Sequence, residues 1–124
     1  MIEGLARQSN AGSKVLARLM LPGESLHAPE LLDLEVLSGL RALARRRELQ
    51  PLRAELAVAK LAKLRVTRHS HAKLRDRIWS LRENLTPCDA AYLAVAERLE
   101  ARLLTSDPRL ARAARGTVEV ELLF

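Results

Sequence analysis

The sequence predicts an α/β fold in which a mainly parallel sheet is flanked by helices. Four short apolar or alternating runs read as strands: Ser25-Leu26-His27-Ala28, Arg65-Val66-Thr67-Arg68, Arg102-Leu103-Leu104-Thr105 and Val118-Glu119-Val120-Glu121-Leu122. Between them lie stretches of helical period about 10 to 15 residues long, which imply crossover connections and therefore parallel neighbours. No internal repeat, low-complexity segment or linker divides the 124 residues, so 1–124 is expected to form one domain.

The elements follow in order. Residues from about Ile2 to Met20 have helical period, with Val15, Leu16 and Leu19 on one side and a break over Ser9-Asn10-Ala11-Gly12-Ser13; Pro22-Gly23 ends them. After the strand at Ser25, Pro29 is expected in the first turn of a helix that starts at Glu30 and reaches about Arg47, because its fixed φ suits that position and its missing N–H is no loss there. Gln50-Pro51 separates this helix from another over Leu52 to Leu64, whose Leu52, Leu56, Ala59 and Lys60 or Lys63 mark an amphipathic face. His71 to Asn84 is helical in period, with Leu74, Ile78 and Leu81 on one stripe. Thr86-Pro87-Cys88-Asp89 opens a helix to about Glu100, and Asp107-Pro108 starts a last one.

Composition narrows the function less than the charge of +6 suggests. Only four of the 21 basic residues are Lys, and the Arg excess can follow genome composition as readily as a ligand. A surface that attracts phosphate is plausible. Trp79, Tyr92 and Phe124 are too few for the row of rings on which single-stranded nucleic acids stack. The lone Cys88 fits a reducing compartment, and no run approaches the roughly 18 apolar residues of a membrane span, so the expected location is the cytoplasm.

Ligands of parallel sheets bind at the carboxyl ends of the strands. Asp107 follows the Leu103-Leu104-Thr105 strand, and Asp89 lies in the first turn of a helix that is otherwise nearly all apolar or small. Glu35 has Ser38, Gly39 and Ala42 on its side of the helix, so it faces small side chains and open space. Each acid also has a plain structural reading. Thr86-x-x-Asp89 is a capping box, Asp107 before Pro108 is a helix cap, and Glu35 can simply be solvated. Asp33 and Asp76 read as surface charges.

Three segments weigh on these readings. Ala28 to Arg41, Leu85 to Glu97 and Leu103 to Ala111 resemble, in order, the successive signatures of PIN-domain proteins, and most of all the VapC toxin ribonucleases of bacterial toxin-antitoxin pairs. The likeness runs from about Val15 to Leu122. It implies a PIN-like three-layer fold and a metal-dependent endoribonuclease. In such a protein Glu35, Asp89 and Asp107 would be both the catalytic residues and the ligands of Mg²⁺ or Mn²⁺, with Thr105 in support. It further implies a VapB-like antitoxin as partner, RNA as substrate and a homodimer. Hard divalent ions prefer oxygen ligands, which agrees with a site made of carboxylates. The alternative is a non-catalytic protein, either a degenerate PIN domain or a basic nucleic-acid-binding fold, in which the acids are caps.

One departure from the family stands out. PIN domains begin with an apolar strand that ends in Asp and lies centrally in the sheet, whereas Met1-Ile2-Glu3-Gly4-Leu5 resembles the stretch just after it. The first central strand and its acid are therefore expected to be absent, and Glu3 is not assigned the role. A misassigned start, a decayed gene and a genuine short form stay open. The first accounts best for the intact motifs, and it predicts an in-frame upstream segment encoding a Val/Ile-rich strand with an Asp. Without that strand, weaker metal binding and lower stability are expected. Among lesser features, His69-x-His71 lacks a third metal ligand at suitable spacing, and Arg45-Arg46-Arg47 complements a helix dipole. Cys88 is expected to be packed, and Trp79 to lie in the core or a dimer contact.

Overall fold

The computed structural model describes residues 23–123. The helix expected over Ile2 to Met20 and the residue Glu3 lie outside them. The described chain runs β1 (Leu26–Pro29), α1 (Leu32–Arg45), α2 (Pro51–Lys63), β2 (Val66–His69), α3 (His71–Ser80), α4 (Pro87–Leu99), β3 (Leu103–Thr105), α5 (Pro108–Ala114) and β4 (Val120–Leu122). Both strand pairs are parallel, as the helical connections require. Leu26 stands opposite Val66 and Pro29 opposite His69, while Leu103 stands opposite Val120 and Thr105 opposite Leu122. Among the described residues the strands form two separate two-stranded sheets rather than one.

Pro29 closes β1 instead of opening a helix. The ladder continues past it, because the Glu30 amide donates to the His69 carbonyl at 3.0 Å, and the next amide, Leu31, donates to His71 Nε2 at 3.0 Å. α1 therefore starts at Leu32, later than expected. Its core side is Leu32, Val36, Leu40 and Leu43, at the spacing of one helix face. Pro51 and Pro87 occupy first-turn positions of α2 and α4, and Pro108 that of α5. α3 ends at Ser80 and gives way to tight turns, with the Leu81, Arg82 and Asn84 amides each donating three residues back.

α4 is the centre of the molecule. Every residue from Ala90 to Ala96 is buried, and the helix packs against α3, β1 and β3. Its alanines let neighbours approach closely, while Tyr92 and Leu93 fill the space between them; each such side chain contributes about 1.5–3 kcal/mol on burial. Arg77 of α3 grips Glu97 of α4, with Nη2 2.9 Å from Oε1. α4 ends at Leu99; the capping residue Glu100 has a left-handed φ of +51°, and the Ala101 amide closes the turn on the Ala96 carbonyl.

Three expectations about faces need correction. In α2 only Leu61 is buried, and Leu52 and Leu56 are 67% and 53% exposed, so that stripe does not face the core. Trp79 is 66% exposed, with the Arg82 guanidinium 4.5 Å from its ring centre, so of the two places expected for it the core is ruled out and the dimer contact is not. Cys88 is exposed at the start of α4. No helix among the described residues is long and apolar enough to cross a membrane.

Candidate active site

Glu35 sits in the first turn of α1, just after the carboxyl end of β1. It does not face open space: the Tyr92 hydroxyl donates to its Oε1 at 2.6 Å. That bond sets the start of α1 against α4, and Asp89 lies on α4 one turn before Tyr92. Residues three apart on a helix are neighbours on one side of it, so Asp89 and Tyr92 share a face of α4.

Asp89 lies in the first turn of α4, where its amide donates to the Thr86 hydroxyl at 3.2 Å. This is the Thr86 half of a capping box, and it leaves the Asp89 carboxylate available for other work. Asp107 follows β3 and caps α5: its Oδ1 accepts the Arg109 amide at 2.9 Å, and its own amide donates to the Thr105 hydroxyl at 3.0 Å. Thr105 is the buried polar residue of the described core, with 0% of its surface exposed. A fully buried hydroxyl at the end of a strand, bonded to the next acid's backbone, orients that acid.

Glu35, Asp89 and Asp107 are all half-buried, which keeps them reachable from solvent yet constrained by protein. In kind the donor set fits a hard divalent ion, since it offers carboxylate oxygens and neither thiolate nor imidazole. In arrangement it is not closed: among the described residues no three His, Cys, Asp or Glu side chains converge to hold an ion.

Asp33 is more than a surface charge. It takes Arg68 of β2 in a two-pronged ion pair, with Nη2 2.7 Å from Oδ1, and the guanidinium holds its carboxyl below the ordinary carboxylate range. Asp76 is exposed, as expected. The histidine pair His69-x-His71 does not chelate. His69 Nε2 is hydrogen-bonded to His27 Nδ1 of β1 at 2.9 Å, and His71 turns to the Leu31 amide. A separate cleft of about 240 Å³ lies between the amino ends of β1 and β3, lined by Ser25, Leu26 and His27 on one side and Ala101, Arg102 and Leu104 on the other. None of the three acids lines it.

The family model of the PIN domain matches residues 1–116. The chain belongs to the PIN-domain family. Its relatives are of the VapC type. Ribonuclease VapC9 of Mycobacterium tuberculosis is 44% identical over 94 residues, covering 76% of this chain and 74% of that protein. Ribonuclease VapC3 of the same organism is 41% identical over 113 residues, 91% of this chain and 81% of that one. Ribonuclease VapC1 is 35% identical over 124 residues, 99% of this chain and 92% of that one. The α/β architecture expected from the sequence is that of a PIN domain, with parallel pairing throughout the described strands.

Tyr92 is the site residue that sequence reasoning missed. It lies 57 positions from Glu35, and nothing in its local pattern separates it from the alanines and leucines that share its helix.

Proposed function

We propose that this PIN domain is the toxin of a VapBC-type toxin-antitoxin pair and cuts RNA with Mg²⁺ or Mn²⁺ as cofactor. The observation that carries the reading is the PIN match over residues 1–116, supported by relatives whose names make them VapC ribonucleases. Glu35, Asp89 and Asp107 are taken as the catalytic carboxylates and metal ligands. A bound ion would lower the pKa of a water and neutralise charge developing on the phosphate.

The protein's own groups do the positioning. Thr105 and the Arg109 amide hold Asp107 at its backbone and at one carboxylate oxygen, so the acid keeps one orientation as substrate enters. The Tyr92 hydroxyl steadies Glu35. Asp89 stands in the first turn of α4, where the partial positive charge at the amino end of the helix attracts its carboxylate. The net charge of +6 favours approach of an RNA backbone. A VapB-like antitoxin, a homodimer and a cytoplasmic location belong to the same reading.

One observation favours the rival, a PIN domain that binds without cutting: the described residues do not by themselves converge on an ion. Cleavage of structured RNAs in Mg²⁺ or Mn²⁺ separates the two. The full chain is expected to cleave, and Glu35→Gln, Asp89→Asn and Asp107→Asn each to abolish cleavage while remaining folded by circular dichroism. Cleavage that survives all three substitutions overturns the assignment, and a full chain that binds RNA without cutting it establishes the rival.

A further inference from the structure

Tyr92 is 1% exposed and belongs to the buried core around α4. Its hydroxyl reaches out of that core to Glu35 Oε1 at 2.6 Å, the length of a charge-assisted O–H···O⁻ bond. Glu35 is half-buried and would otherwise be free to sample several rotamers, at an ordering cost approaching about 2 kcal/mol for a long side chain. The phenol has no such freedom. We propose that Tyr92 is a positioning residue: it fixes the Glu35 carboxylate by one oxygen and so orients the second for a ligand.

A buried tyrosine needs a hydrogen-bond partner in any case, and that need alone explains a bond but not its choice of partner. Here the partner is an acid of the candidate site, and the helix that carries Tyr92 also carries a second acid of that site. α4 thereby presents Asp89 directly and Glu35 by way of its phenol. Partners that hold a ligand from behind typically contribute 10–100-fold in metal affinity, although they never touch the ion.

The inference rests on the reading of Glu35 as a metal ligand, and its test separates the two claims. Mn²⁺ is titrated calorimetrically into the full chain without RNA, alongside Tyr92→Phe, Glu35→Gln and the double variant. Tyr92→Phe keeps the ring in the core and is expected to weaken Mn²⁺ binding by about 10-fold. Glu35→Gln should weaken it at least as much, and the double variant no further than Glu35→Gln alone, because the phenol acts only through the carboxylate. Glu35→Asp, which keeps the charge but shortens the reach to the phenol, should behave like Tyr92→Phe and covers the case in which the latter folds poorly. Unchanged affinity in Tyr92→Phe or Glu35→Asp, with Glu35→Gln weakened, overturns the positioning role and spares the ligand. Unchanged affinity in Glu35→Gln, or no saturable Mn²⁺ binding by the unsubstituted chain, overturns the ligand reading and this inference with it.

Discussion

At the scale of single residues, two hydroxyls organise the acids. Thr105, buried at the end of β3, takes the Asp107 amide at 3.0 Å. Thr105→Val preserves shape but strands that donor, so urea unfolding should show a loss of about 1–3 kcal/mol, and RNA cleavage should slow. An unchanged midpoint would contradict the role. Glu100 carries the opposite defect, since it holds a left-handed φ of +51° where glycine is at ease. Glu100→Gly should stabilise the chain by up to about 1 kcal/mol in the same measurement, and destabilisation would show that contacts of Glu100 outweigh its backbone strain. The places of Asp89 and Asp107 in the fold were legible in the sequence because each sits where a strand end or cap pattern puts it, whereas the surroundings of Glu35 were not, since it meets the Tyr92 hydroxyl instead of open space. Tyr92, Trp79 and Cys88 were not, because periodicity says that a residue is on a helix without saying what that helix packs against.

At the scale of elements, α2 and the β1–β2 seam give the sharpest contrasts. Leu61→Ala should cost about 2–4 kcal/mol by thermal or urea unfolding, whereas Leu56→Ala, on the exposed side, should stay within about 0.5 kcal/mol. Equal losses would mean that Leu56 is covered in solution. On the seam, burial first, and then the charges of His27, Arg98 and Lys73, push the His69 pKa below the ordinary 6.5. The folded chain thus takes up a proton less readily than the unfolded one, so stability is complete above that ordinary value and declines as the pH falls below it. His69→Gln should flatten the decline between about pH 7 and pH 5, and parallel curves would contradict this. Asp33 acts at lower pH: its hydrogen bond from Arg68 lowers its pKa from the ordinary 3.8, so its contribution is present above that value and is lost as the pH falls through the depressed one. The strands were readable from their alternation. The start of α1 was not, because the usual preference of proline for a first helical turn loses here to a ladder that runs on through Glu30 and a histidine that takes the Leu31 amide.

For the whole molecule, the sequence pattern was enough to predict parallel pairing, since short strands joined by helices allow little else. It could not show that the described strands divide into two pairs, each with a strand packed against one buried helix, because sheet neighbours are chosen by long-range packing and α4 reads locally as an ordinary apolar helix. That arrangement, with Glu35 tied to α4 and Asp107 set at the end of β3, puts the three acids proposed as ligands on three different elements. The central claim is that these acids make RNA cleavage depend on a divalent ion. It is tested most directly by following cleavage of a structured RNA by the full chain after treatment with a chelator, and again after Mn²⁺ or Mg²⁺ is returned. Cleavage should stop on chelation and resume with the ion; cleavage that continues unchanged in the chelator would contradict the account.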